Sequence, residues 1–345
     1  MYLVLEKLFA AMRGRFQFDP DAEITVECAP GQIVDETLAA FQRVGMNRVS
    51  LGVQSFIDRE AQVSGRLHTR SVVEQDLRRL RAAGIANLNV DLIAGLAGQT
   101  VASWEESLTV LLDAGLPHAS VYMLEVDEDS RLGREMLAGG ARYYAELVPT
   151  DDAIAQMYTR ALERLGESGL EQYEISNFSR PGFTSRHNMR YWQRRPYLGL
   201  GLDASSTLQA AAADEGAPDS SSRYVLRATT TSDLKDFLAG PEPAETAWLS
   251  PARQHEEAWF LGLRLNRGVE VAGIEREFGS EAASRAVEIV ERLAADELLE
   301  FDGKTVRLTA RGRMLSNDVF QEFLGLDAGM ERADLPLSRH SVLSG

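Results

Sequence analysis

The chain has 345 residues, 44% of them hydrophobic and 26% charged, with a formal net charge of −16. That length holds two domains with sizeable cores, and the acidic balance argues against unaided binding to nucleic acid or anionic lipid. No apolar run approaches the roughly 20 residues of a membrane span. Glu6 and Lys7 break what would be the apolar part of a signal peptide, so the expected compartment is the cytoplasm. The single cysteine, Cys28, permits neither an intrachain disulfide nor a multi-thiolate metal site.

Residues 1–16 place Leu5, Leu8, Phe9 and Met12 at helical spacing. The chain begins inside this pattern with no capping residue before it, which leads us to expect further native sequence upstream. Strand–helix units follow. EITVE (23–27) reads as a strand, with a turn at Pro30-Gly31 and a helix over 34–45. RVSLGVQ (48–54) is the second strand, followed by a helical stretch broken near Gly65 and resuming over 71–83. NLNVDLI (87–93) is the third strand, with a helix over 101–114, and HASVYMLEV (118–126) is the fourth. Strands that alternate with helices and are mostly apolar predict a parallel β/α sheet buried on both faces.

Asp91 interrupts the apolar run Leu88, Val90, Leu92, Ile93. A carboxylate there is costly to bury without a partner. It is either a structurally paired acid or part of a site. Glu27 ends the first strand, Gln54 ends the second and Asp91 lies late in the third. The C-terminal ends of parallel strands are where β/α barrels build their sites, so these three predict a ligand rim. Four strands do not close an eight-stranded barrel, leaving a partial barrel, a doubly wound sheet or a fragment.

A helix is expected over 149–169, capped by Thr150 with Asp151 and Asp152 in its first turn. The segment 171–206 changes character. His187, Asn188, Tyr191 and Trp192 cluster there with Arg186, Arg190, Arg194 and Arg195 around them. It suits a planar ligand carrying carboxylates, which Arg pairs bidentately, or else it is a turn whose aromatics pack on the core. Residues 209–222 read as a flexible loop and the Pro-Glu-rich stretch near 239–247 as a linker. From Pro251 helices dominate, ending in a hairpin with its turn at Asp302-Gly303 and a last helix over 312–323. This pattern is winged-helix-like, but acidic, and is read as structural rather than DNA-binding. Residues 326–345 read as a disordered tail. The expected domains are 1–206, a partial β/α barrel containing the 171–206 segment; 207–250, a flexible insertion and linker; and 251–325, the small C-terminal α+β domain.

The strings VECAPG, SLGVQSF, GRLH, DLIAGLAGQT, YEISNFSRPG, HNMRYW, YLGLG and LTARGRMLSN stand in this order along the chain. Together, over about residues 1–325, they resemble the coproporphyrinogen oxidase-like radical SAM family, and within it the HemW-type heme chaperones. The resemblance implies a radical SAM partial barrel of TIM type. It implies that Glu27, Gln54, Arg66 and Asp91 hold S-adenosylmethionine. It also implies that the string from His187 to Trp192, with Asn188 and Tyr191, is a heme-binding signature in which His187 ligates iron. Heme or porphyrin is then the cargo, with an acceptor protein as partner and membrane contact only through a partner. The family's CxxxCxxC motif, which holds a [4Fe–4S] cluster, is absent here. Ala97, Asp203 and Ser205 also depart from the family's usual Pro, Gly and His.

The resemblance leaves three readings: a heme chaperone, an oxygen-independent coproporphyrinogen III oxidase, or a cluster-free relic. The first is adopted, with the chain as written expected to be inactive in radical chemistry and to be a fragmentary or mis-started copy. A DNA-binding winged helix is the weakest alternative. The exposed edge of EITVE leads us to expect aggregation.

Overall fold

A computed structural model describes residues 2–126, 131–138, 140, 142–209, 224–240 and 243–326. The chain divides into two compact units, Met1–Arg186 and His187–Gly345. The first unit runs α1 (Tyr2–Arg13), β1 (Thr25–Cys28), α2 (Asp35–Val44), β2 (Arg48–Gln54), α3 (Asp58–Val63), α4 (Arg70–Ala82), β3 (Asn87–Ala94), α5 (Val101–Asp113), β4 (His118–Met123), α6 (Arg131–Leu137), α7 (Asp151–Glu167), β5 (Glu171–Gln172) and β6 (Asn177–Ser179), with α8 (Arg186–Trp192) leading into the second unit. Its strands form one open sheet in the order β1-β2-β3-β4-β6-β5. β1 to β4 pair in parallel, and β6 joins β4 antiparallel. This is the α/β partial barrel that the sequence predicts. The short hairpin β5–β6 that extends it lies inside the segment 171–206, where no strand is expected.

The strands are buried on both faces, as the sequence reading expects, but only one face is apolar. They alternate, and the parallel register sorts them into rows. Cys28, Leu51, Val90 and Ala119 are paired across four strands on one face. Glu27, Ser50, Asn89 and His118 are paired across the same strands on the other, and Gly52, Asp91 and Ser120 form the next row toward the strand ends. Successive side chains of a strand point to opposite faces, so one face is hydrocarbon and the other polar. Both are largely buried: Val49, Leu51, Leu88, Val90, Val121 and His118 are fully inaccessible, and Asn89 and Ser120 nearly so. Helices cover the hydrocarbon side. Phe41, Leu77, Leu80, Leu108 and Leu111 are their buried residues, each worth about 1.5–3 kcal/mol of burial. α5 is tied to α7 by Trp104 Nε1, which donates to Met157 O at 2.6 Å.

Two local signals set helix starts. Thr100 and Ser103 form a reciprocal capping box at α5, and Thr150 caps α7 as its sequence predicts. Gly95 takes φ +104° in the β3–α5 turn, and a Cβ there would lie 2.8 Å from Ile154 Cδ1. Only glycine lets β3 end this close to α7.

The second unit continues with β7 (Ser205–Gln209), β8 (Val225–Thr230), α9 (Leu234–Ala239), β9 (Pro243–Leu249), α10 (Pro251–Leu263), β10 (Val269–Glu270), α11 (Val271–Phe278), α12 (Ser280–Ala295), β11 (Leu299–Phe301), β12 (Thr305–Leu308), α13 (Ala310–Met314) and α14 (Ser316–Glu322). β7-β8-β9 form an antiparallel sheet. The stretch 207–250, expected as insertion and linker, therefore carries two full strands and a helix. Pro243 opens β9 without interrupting it, because proline is tolerated at a first strand position. Residues 210–223 of the expected flexible loop, and the expected tail beyond residue 326, lie outside the described residues. The C-terminal sheet β10-β12-β11 contains the expected hairpin plus the two-residue β10. Trp259 stacks on Phe323 at 5.3 Å and donates to His255 Nε2 at 3.0 Å in its core. Among the described residues no helix is long and apolar enough to cross a membrane.

Candidate functional site

The C-terminal ends of β1, β2 and β3 bring together the residues read as a rim. Glu27 stands one row before Asp91 on the polar face, and Gly52 is paired directly with Asp91. The β2–β3 register shifts between Gly52 and Gln54, and Gln54 has φ 69°. Such a bulge re-aims a side chain. Here it turns the Gln54 amide toward Gly52: a Cβ on Gly52 would lie 3.3 Å from Gln54 Nε2 and 3.6 Å from Arg66 Nη2. Arg66 therefore reaches the same spot from the loop after α3. What holds that loop is His68, buried, whose Nε2 bonds Val53 O at 3.1 Å. Burial keeps the His68 imidazole below its usual pKa, so it donates to that carbonyl as a neutral ring. Gln54 and Arg66 thus meet over Gly52, the residue paired with Asp91, and Glu27 stands exposed on the neighbouring strand β1.

Asp91 is held by donors. Asn89 Nδ2 approaches Oδ1 at 2.7 Å, and Ser50 Oγ donates to Oδ2 at 3.2 Å. Burial pushes the Asp91 carboxyl above the usual carboxylate range, while its bonds to Ser120, Asn89 and Ser50 oppose that shift and the Glu27 charge adds to it. Tyr122, two residues beyond Ser120 on the same face, is pushed up to about 12 by burial and the Asp91 charge. The turn after β3 is braced by Gln99. Its Oε1 accepts from Gly95 N at 2.6 Å, and its Nε2 donates to Ile93 O at 3.2 Å and to buried Glu60 Oε2 at 3.3 Å. His68, Gln99 and Glu60 all lie within or beside the strings read above, yet their roles depend on contacts those strings do not display.

Two carboxylates, an amide and a guanidinium near the ends of β1, β2 and β3 suit a ligand with an amino-acid head and vicinal hydroxyls. Arg66 is the partner for a carboxylate, and Glu27 and Asp91 accept from ammonium or hydroxyl groups. An iron–sulfur cluster is not accommodated by the residues of this chain. Cys28 is one thiol, its register places it on the hydrocarbon face beside Leu51, and burial, then the charges of Asp76 and Glu27, push its pKa up to about 11. A thiol that stays protonated on the wrong face is not a cluster ligand. Among the described residues no group of three or more His, Cys, Asp or Glu could hold a metal ion.

The other predicted residues lie on α8. His187 is exposed, and Asn188, Tyr191 and Trp192 are half-buried. His187 Nε2 is 3.1 Å from the Tyr191 hydroxyl, with the rings edge-on at 4.9 Å. Tyr191 packs in turn on Tyr197. Trp192 is not part of that aromatic group: Arg264 lies over its ring at 4.2 Å. The surrounding arginines do not form the single basic patch that the sequence indicates. Arg194 pairs with Glu277 at 2.6 Å and sits over Phe278. Arg190 donates to Pro196 O, and Arg186 to Asp21 O. Arg195 is exposed.

The family model described as the Radical SAM superfamily matches residues 2–111, and the one described as the HemN C-terminal domain matches residues 249–315. Heme chaperone HemW of Lactococcus lactis subsp. lactis (strain IL1403) is 32% identical over 93% of this chain and 80% of its own length. Heme chaperone HemW of Synechocystis sp. (strain ATCC 27184 / PCC 6803 / Kazusa) is 36% identical, over 77% of this chain and 61% of its own length. That of Bacillus subtilis (strain 168) is 31% identical, over 88% and 76%. Among solved structures, the coproporphyrinogen III oxidase HemN from Escherichia coli, a radical SAM enzyme, superposes with a TM-score of 0.75 at 20% identity, over 94% of this chain and 74% of that one. That likeness establishes the fold.

Proposed function

Because the chain belongs to the HemW family of heme chaperones within the radical SAM superfamily, we propose that it binds heme through α8 for transfer to an acceptor protein. We propose further that the rim at Glu27, Gln54, Arg66 and Asp91 receives S-adenosylmethionine. The observation that carries the second reading is the meeting of Gln54 and Arg66 over Gly52, the residue paired with Asp91, with Glu27 one row before Asp91 on the same face. Bound there, S-adenosylmethionine would supply a sulfonium whose chemistry in this superfamily depends on a cluster. This chain's single thiol cannot hold that cluster, so no radical step is assigned to it. What the chain's own residues do is bind: Arg66 takes the carboxylate, Gln54 the polar head, and Glu27 and Asp91 the ammonium and hydroxyls.

For heme, the His187 imidazole would ligate the iron through Nε2, and the exposed Arg195 would be available to a propionate. The Tyr191 hydroxyl must turn away for iron to reach that nitrogen. The oxidase reading rests on the fold likeness alone, whereas several HemW relatives match across most of the chain. The test is hemin titration followed by its Soret band. The parent chain is expected to saturate at one equivalent, and His187→Ala to lose the shifted band while keeping its thermal midpoint. An unchanged spectrum in His187→Ala would remove His187 as the ligand.

A further inference from the structure

One chain of hydrogen bonds on the polar face runs from Tyr173 through His118 and Asn89 to Asp91. Asn89 Nδ2 donates to Asp91 Oδ1 at 2.7 Å and also faces Ser50 Oγ at 2.8 Å and Ser120 Oγ at 3.0 Å. An amide with its nitrogen against a carboxylate keeps its oxygen at the opposite end, so Asn89 Oδ1 is an acceptor. His118 Nδ1 lies 2.6 Å from that oxygen and must carry the proton. A neutral imidazole then accepts only through Nε2, and the Tyr173 hydroxyl, 2.9 Å away, donates to it. The ring is held neutral from all sides. It is fully inaccessible, and burial, reinforced by the Arg48 charge, lowers its pKa to about 3. Tyr173 is fixed in turn by Ser185 N, which donates to its oxygen at 3.3 Å.

We propose that His118 and Asn89 are positioning residues for Asp91: His118, protonated on Nδ1, locks the Asn89 amide so that an N–H always faces the Asp91 carboxyl and leaves it an acceptor for the rim's ligand. This inference rests on the rim reading above. Without the lock, a half-turn of the amide brings its oxygen against Asp91, replacing attraction by repulsion and driving the carboxyl further toward its protonated form. The other titratable and charged groups that face Asp91 are Glu27 from β1 and Tyr122 from β4. Arg66 approaches over Gly52, the residue paired with Asp91. Glu27 repels a second negative charge, so the donors on β2, β3 and β4 must offset it.

The test uses two substitutions in the full chain and S-adenosylhomocysteine as the probe, titrated calorimetrically from pH 5 to 8. His118→Phe removes the Nδ1 donor and keeps a ring in the cavity. His118→Asn retains an amide N–H near the Nδ1 position and loses only the link to Tyr173. The phenylalanine variant is expected to bind about tenfold more weakly, the order of a lost hydrogen bond to a charged group, with its acidic limb of binding moved to higher pH. The asparagine variant is expected to stay within about twofold of the parent. Parent-like affinity and pH profile in His118→Phe would overturn the inference alone. So would equal weakening of both variants with unmoved acidic limbs, since that is loss of packing. No binding by the parent chain would overturn the rim reading and this inference with it. If His118→Phe does not fold, Asn89→Ser, which withdraws the amide from Asp91, is held to the same two expectations of weaker binding and a raised acidic limb.

Discussion

Asp91 and His187 are the two residues on which the proposed ligand binding rests, and their surroundings differ in kind. Asp91 is embedded in a sheet, and its partners Ser50 and Asn89, with Ser120 and His118 behind them, come from three strands. His187 stands exposed on a seven-residue helix, capped by Tyr191 one turn along. The first arrangement exists only when the whole sheet is in register. The second exists wherever α8 is helical. A network of the first kind ties ligand binding to global stability, because each member desolvates the next. A local pair of the second kind leaves the site free to change without disturbing the fold, which suits a residue that must take up a cargo and give it away.

The largest expected expression of this contrast is acid sensitivity. His118 is neutral in the folded chain, with its pKa lowered to about 3, whereas an unfolded His titrates near 6.5. Between those values the unfolded chain binds the extra proton, so stability is lost as pH falls from about 6.5 toward 3. Over pH 7 to 4 this amounts to a loss on the order of 3 kcal/mol. Asp91 works the other way. Its raised pKa means that the folded chain holds a proton the unfolded one releases just above the usual carboxylate value, so protonation there favours folding and the net acid effect is smaller. Urea unfolding midpoints at pH 7 and pH 4 measure the sum. His118→Asn, with no group to titrate, is expected to flatten the difference, and His187→Ala is not. An equal acid slope in the parent and His118→Asn would break the contrast.

The next effect separates binding from stability within the rim itself. Gly52 has ordinary strand geometry, so Gly52→Ala is expected to leave the thermal midpoint nearly unchanged. Its new Cβ would sit 3.3 Å from Gln54 Nε2 and 3.6 Å from Arg66 Nη2. The amide must yield by a few tenths of an ångström, and the gap between Gly52 and the Gln54 and Arg66 side chains is narrowed. S-adenosylhomocysteine affinity is expected to fall about tenfold, roughly 1.4 kcal/mol. A variant that binds like the parent would show that the ligand does not occupy the space above Gly52. Gly95→Ala is the control of opposite sign: its Cβ would collide with Ile154 at a left-handed φ, and the expected loss is in stability.

The placement of Glu27, Gln54 and Asp91 late in β1, β2 and β3 was legible in sequence because each ends or interrupts an apolar run. Arg66 was not legible that way. It lies in a loop, nothing in its own neighbourhood indicates that it returns to β2, and only the resemblance singled it out. The His68 bond to Val53 that brings it back is a tertiary contact. The polar face was missed for a related reason. Ser50, Asn89, His118 and Ser120 each look like an ordinary polar residue in a strand, and they become one network only through the cross-strand register. β5, β6 and β10 are two or three residues long, too short for any period to show. On α8 the error ran the other way. Four arginines close in sequence read as one patch, but Arg194 is committed to Glu277, far along the chain.

The smallest effect tests the local pair. The Tyr191 hydroxyl and His187 Nε2, 3.1 Å apart, form one half-exposed hydrogen bond, worth on the order of 1 kcal/mol. Iron bound at His187 Nε2 would displace this contact, so each heme bound there replaces it. Tyr191→Phe keeps the edge-on ring beside His187 and removes the competitor. Hemin affinity is therefore expected to rise about fivefold, the factor that follows from that energy, with no change in thermal midpoint. His187→Ala in the same background abolishes the gain. Weaker hemin binding by Tyr191→Phe would mean that the phenol contributes to holding the porphyrin, and that α8 is braced for its cargo much as the rim is braced around Asp91. Tighter binding would instead show a site kept partly occupied by its own side chain, ready to release what it carries.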